Sequence, residues 1–135
     1  MTKETGLGWT TFSVDDSGGT PVALVASTTQ LSFSTPRGVM DTTGLSQSAM
    51  DRLLLLADFS VSPTMVFDDG ATGCHTVFKT VPSTSVARTV TITVSANTLP
   101  NETLFTDYAL SRSQSGELIC TAPGVLTGGT VPTWA

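Results

Sequence analysis

A chain of 135 residues, 39% apolar and only 13% charged, suits one domain with one core and is too apolar for a disordered segment. Its formal net charge of −5 excludes a nucleic-acid binder that works by neutralising phosphates. Charged residues are about half their usual share, and Ser and Thr fill the gap, so the surface is rich in hydroxyls, as in surfaces that meet other protein over a wide area or in secreted β proteins.

The start, MTKETGLGW, is polar and lacks the apolar centre of a signal peptide. The expectation is a soluble chain assembled in a cytoplasm, with no membrane binding. Next, GWTTFSVDDSGGTPVALVA reads as a hairpin: Phe12 and Val14 share a face, DDSGG turns the chain, and Pro21 stands first in the second strand, where no ladder donor is lost. Leu31 and Phe33 share a face of the following extended stretch, and the apolar parity changes near Ser27, which predicts a bend there.

Residues 34–48 read as a long polar loop with Pro36, Gly38 and Gly44; such loops in small domains carry function or contact a partner. Met50, Leu53, Leu54 and Ala57 then fall at helical spacing, and Ser48 with Asp51 resembles a capping box, so a short helix is predicted. A packed turn is the alternative, and the four leucines would also suit a strand. RLLLLADF, the longest apolar-rich run, is far shorter than the ~20 residues that cross a bilayer. FSVSPTMVF is a strand interrupted by Pro63, hence an edge or a bulge. DDGATGCHTVFKTV is the best helix candidate, capped by Asp68 or Asp69, with Ala71, Cys74, Val77, Phe78 and Val81 on one side and Gly73 weakening it.

In RTVTITV, residues 88–94, Val90, Ile92 and Val94 alternate with Thr89, Thr91 and Thr93. A strand here has one aliphatic face for the core and one threonine face that looks at bulk water, a ligand or another copy of the same protein. ANTLPNE turns the chain, TLFTDYALSR and GELICTAPGVL form a hairpin around SQSG, and TGGTVPTWA forms no element of its own. The fold class is mainly β: a β-sandwich or barrel-like core with one flanking α-helix, in a single domain 1–135 with an N-terminal arm (1–9), the loop (34–48) and a C-terminal arm (127–135).

Little in the chain points to a reaction. His75 is the only histidine and stands beside Cys74, 46 positions from Cys120. A zinc site needs three or four convergent ligands, so a histidine satisfied within the fold is expected, with no metal and no cofactor. Two cysteines are too few for a disulfide scaffold. There is no nucleophile elbow, phosphate loop or dinucleotide fingerprint, and no enzyme is expected. Asp68 and Asp69 lack the spaced oxygen ligands of a calcium loop. Trp9 and Trp134 could stack a sugar, but at opposite ends of the chain they read as anchors of the terminal arms.

Taken in order, MDTTGLSQSAMDRL, SVSPTMVFDD, GCHTVFKTV, RTVTITV, ETLFTDYALSRSQSGELICTAPGVL and the closing PTW resemble the major tail protein, or tail tube protein, of long-tailed bacteriophages, especially those of actinobacteria. The resemblance covers about residues 31–134 and carries no catalytic signature. It implies a β-sandwich with a helix at its side, six copies in a ring, and rings stacked into a hollow tube within the virion. The lumen would hold the tape measure protein and pass DNA at ejection, with tail terminator and tail-tip proteins at the ends. Ring closure needs two different patches that meet at a fixed rotation. The candidates are the loop, both arms and the residues Trp9, Arg37, Asp41, Thr43, Arg52, Asp58 and Trp134, with Arg37, Asp41, Arg52 and Asp58 as possible inter-subunit ion pairs. The alternatives are a tail terminator or head–tail connector that forms one ring, and a β-sandwich module that binds a sugar or a protein.

Overall fold

The structure, a computed structural model, describes residues 3–135; Met1 and Thr2 of the expected N-terminal arm lie outside the described residues. The alternating stretch is strand β7 (Arg88–Val94), with Val90 and Ile92 fully buried and the three threonines half-buried. It runs antiparallel between β1 (Trp9–Asp15) and β8 (Asn97–Phe105). Register sets Phe12 and Leu99 on either side of Ile92, and Val14 beside Val90, so three strands present one apolar surface.

Strand β2 (Pro21–Ala23) extends this sheet beyond β1. In the turn between them, Asp16 Oδ1 accepts the amides of Gly18 and Thr20 at 2.9 Å each. The bend expected near Ser27 is present: Leu24 O accepts the amides of both Ser27 and Thr28. Strand β3 (Thr28–Ser34) pairs with β6 (Ser60–Val66). The order across the sheet is β2-β1-β7-β8-β11-β6-β10-β9, with β3 beside β6, β9 at Ala109–Arg112, β10 at Leu118–Thr121 and β11 at Gly124–Leu126. Every pairing is antiparallel, and the sheet is curled.

Three expectations change here. Pro63 does not mark an edge: β6 pairs with β3 along its length, while β11 covers Ser60 and Val61 and β10 covers Thr64 to Val66 on the other side. The missing proline donor falls in the gap between those two strands. The expected turn 96–102 is mostly β8; the reversal is confined to Ser95 and Ala96, both with positive φ (49° and 65°). Leu104 and Phe105 belong to β8, so the hairpin around SQSG is only β9 with β10.

The flanking helix is α1 (Cys74–Phe78), a single short element rather than the whole of 68–81. Gly73 is its N-cap residue and no side chain caps it. Asp68 instead closes the preceding turn, its carboxylate accepting the amide of Gly70 and its carbonyl that of His75. A side chain at Gly73 would lie 2.3 Å from the Asp68 carbonyl, so this glycine is required by close approach and sets where the helix starts.

The predicted second helix is absent. Residues Arg52–Ala57 are strand β5, paired with β4 (Arg37–Asp41) in a separate two-stranded sheet. The supposed polar loop 34–48 is therefore β4 and the first half of a hairpin tip. Four consecutive leucines have no single helical face, whereas β4 satisfies the backbone of β5 directly.

Phe12, Val14, Leu24, Phe59, Val61, Met65, Val77, Phe78, Val90, Ile92, Leu99 and Cys120 are among the core residues. Arg88 lies among them, 1% exposed, its guanidinium donating to Asp15 O (3.1 Å), Val77 O (2.9 Å) and Thr80 Oγ1 (2.9 Å). It joins the end of β1, the helix and the turn after it, and burial lowers its pKa.

Val90→Asp puts a charge between Val14 and the β8 strand and should cost at least about 4 kcal/mol, abolishing a cooperative melt followed by circular dichroism, while Thr91→Asp on the opposite face leaves the chain folded. Arg88→Ala strands three acceptors and opens a cavity; a loss of about 3 kcal/mol or more in urea unfolding is expected, whereas Arg112→Ala on the exposed β9 edge should change stability by less than about 0.5 kcal/mol.

Candidate assembly surface

The β4–β5 hairpin is the least covered apolar part of the molecule. Val39, Met40, Met50, Leu53, Leu54 and Leu55 are about half exposed, and Leu56 is 90% exposed. Both strands show apolar side chains on both faces, since all five residues of β4 and five of the six in β5 are exposed. Burying a half-exposed leucine is worth about 1 kcal/mol, so a second body covering the hairpin would gain several.

The hairpin is shaped from within. Arg37 donates from Nε to Leu55 O (2.8 Å) at the irregularity in register between Arg37 and Val39, holding a carbonyl that the ladder leaves free. At the tip, Thr43 Oγ1 donates to Asp51 O (3.2 Å) and accepts the Asp51 amide (2.8 Å), while Asp41 Oδ1 accepts the Thr43 amide (2.9 Å). At the base, the Asp58 amide donates to Pro36 O and the Asp58 carboxylate accepts the Phe59 amide. Arg52 and Asp41 are register partners. The five polar residues singled out from sequence thus all lie on the hairpin or at its base, and four of them shape it through backbone hydrogen bonds.

Trp9 and Trp134, from opposite ends of the chain, meet on Phe33 at ring-centroid distances of 5.7 and 5.9 Å. The Ser95 amide donates to Gly8 O (2.7 Å), Ser95 Oγ donates to Glu4 (2.9 Å), and Ala135 exchanges backbone hydrogen bonds with Thr98 (3.0 and 2.8 Å). Glu4, Gly8 and the C-terminal Ala135 are therefore tied to the body of the chain around the β7–β8 turn. Trp9 Nε1 is buried there without a hydrogen-bond partner.

The threonine face of β7 continues into its neighbours. Thr11 and Ser13 of β1 and Thr98, Pro100 and Glu102 of β8 are the register partners of Thr93, Thr91 and Thr89. Thr89 donates to Glu102, and Thr93 and Thr98 share a hydrogen bond of 3.2 Å. The result is a mostly polar, neutral to weakly acidic sheet face, unlike the apolar hairpin.

His75 is enclosed by Phe67 and Tyr108, and its Nδ1 lies 3.0 Å from the Tyr108 hydroxyl. Beside it, Cys74 Sγ and Cys120 Sγ are 3.0 Å apart. The sequence reading missed this meeting, because 46 residues separate the two thiols and only the sheet brings β10 under α1. Among the described residues, no group of three or more His, Cys, Asp or Glu could hold a metal ion.

No protein-family model and no curated protein matches the sequence. Solved structures do match. One is a chain in the tail of an empty gene transfer agent (GTA) particle with C6 symmetry: TM-score 0.71, 17% identity, covering 98% of this chain and 98% of that one. Another is a chain in the virion of a native gene transfer agent particle: TM-score 0.68, 15% identity, covering 97% and 99%. Nearly the whole chain therefore shares the fold of these particle chains, mostly β with a curled sheet and one short helix.

Burial, and then the hydrogen bond with Cys74, push the Cys120 thiol from 9.0 up to about 12. Above about pH 9 the unfolded chain releases a proton that the folded chain keeps, so this stabilisation is complete below that pH and fades as pH rises toward 12. The melting temperature should fall between about pH 8 and about pH 10.5, and Cys120→Ala should make that fall shallower.

Proposed function

We propose that this chain is a structural protein of a phage-type tail, which assembles with copies of itself into six-membered rings stacked as the tail tube. The observation that carries the reading is the unpartnered apolar hairpin on a fold that, in its structural neighbour, builds a tail of C6 symmetry. A solvated monomer gains nothing from six exposed large apolar side chains on two strands, and such patches mark interaction sites. A second copy of the chain supplies both the apolar cover and, through β2, β3 and β9, free strand edges of the same kind.

In this reading the hairpin reaches a neighbouring subunit, with Arg37, Asp41, Thr43 and Asp58 holding its shape and Arg52 and Leu53 to Leu56 making the contact. Trp9 and Trp134 lie at the joint between the termini and supply the rim of that contact. The Thr89, Thr91 and Thr93 face lines the lumen, where hydroxyls are satisfied by water and a weakly acidic surface keeps passing DNA from sticking. The tape measure protein occupies that lumen during assembly, and terminator and tip proteins close the ends. The protein acts in the virion tail after assembly in the bacterial cytoplasm.

Negative-stain electron microscopy of the purified, concentrated chain should show hollow tubes or stacked rings. Isolated rings would instead indicate a terminator or connector, and a persistent monomer, even with a nucleating partner, would indicate a binding module. Leu54→Glu and Leu56→Glu should each leave the melting temperature within a few degrees of the parent and abolish tubes. Tubes of normal length from both variants would remove the hairpin from the assembly.

A further inference from the structure

We propose that Cys74 and Cys120 are a modification site: exposed to a peroxide, they join in an intramolecular disulfide that fastens α1 to β10. The two sulfurs are 3.0 Å apart and both residues are fully buried. A disulfide bond is ~2.0 Å long, so the sulfurs have about 1 Å to close. Cys74 opens α1 and Cys120 sits in β10 between Met65 and Leu110. The chain has no third cysteine, so no competing pairing exists within it.

The helix is where a covalent tie has most to add. It has five residues and no side-chain cap, too few for a helix to hold itself. It is kept in place by burial of Val77 and Phe78 and by the Arg88 guanidinium on the Val77 carbonyl. A bridge spanning 46 positions closes a long loop in the unfolded chain, and such loops give the larger stabilisations.

The reaction balances in two steps. One thiol, as thiolate, attacks a peroxide oxygen; the O–O bond breaks, the sulfur becomes a sulfenic acid and the leaving oxygen departs as water after taking up protons. The second thiol attacks that sulfur, the S–O bond breaks, the S–S bond forms and a second water leaves. Two thiols lose two electrons and the peroxide gains them. Burial keeps the Cys120 thiol protonated, so the reaction waits on local opening of the short helix and is slow compared with that of an exposed thiol. That the bond forms on leaving a reducing cytoplasm rests on the tail reading; the pairing itself does not.

The test treats the purified full-length chain with a small excess of hydrogen peroxide, then alkylates it under denaturing conditions. The expected product is lighter than the reduced chain by two hydrogens and takes up no alkyl group. Trypsin without reductant should leave the peptide ending at Lys79 joined to the one beginning at Ser113. The melting temperature should rise by several degrees and return with dithiothreitol. Cys74→Ala and Cys120→Ala should each show no bridge and no rise, and the untreated parent serves as the control should either fail to fold. Sulfoxides on Met40 and Met50, both more than half exposed, show that oxidant was sufficient. If those form while both cysteines remain alkylatable, end as sulfinic acids, or bridge only between chains, the proposal is overturned. Bridged chains that never form tubes would contradict the tail reading alone, and tubes without bridges would contradict this proposal alone.

Discussion

The apolar seam between β1, β7 and β8 is the constraint from which the remaining structure follows. Phe12, Val14, Val90, Ile92 and Leu99 are each fully buried, in one cluster with Val77 and Phe78 of α1 and Val61 and Met65 of β6. A small domain has one core and a large surface. Once Val77 and Phe78 have covered the seam and Arg88 has pinned the helix end, Leu53 to Leu56 have no core left to enter. They remain exposed on the hairpin.

The same seam polarises the sheet. Because side chains alternate along a strand, inward Val90 and Ile92 force Thr89, Thr91 and Thr93 outward, and the antiparallel register lines them up with Thr11 and Ser13 of β1 and with Thr98, Pro100 and Glu102 of β8. A core requirement thereby produces a continuous polar face. The molecule presents a polar surface on the sheet and an exposed apolar one on the hairpin.

What was legible in the sequence was whatever a local period encodes. The alternation in 88–94 gave the central strand, DDSGG and Pro21 the first hairpin, and the switch of parity the bend near Ser27. What was hidden depended on distant partners. Leu53 to Leu56 fit a helical or an extended period equally well, and the choice was made by Arg37–Asp41, which read as loop because Gly38 and Pro36 flank or interrupt it. The helix was shortened by the contact of Gly73 with Asp68. Arg88 looked like a charged strand end, and nothing local told that three acceptors converge on it. The polar residues marked for assembly were found on one hairpin, although their roles within the chain are to hold backbone carbonyls and amides rather than each other.

Hydrogen exchange on assembled and dispersed protein, read amide by amide, addresses the central claim most directly. The account predicts that amides of residues 37–57 exchange readily in dispersed chains and become at least about tenfold slower in the assembly, while β7 is protected in both. Equal, rapid exchange of the hairpin in both states would show that nothing covers it, and would contradict the account.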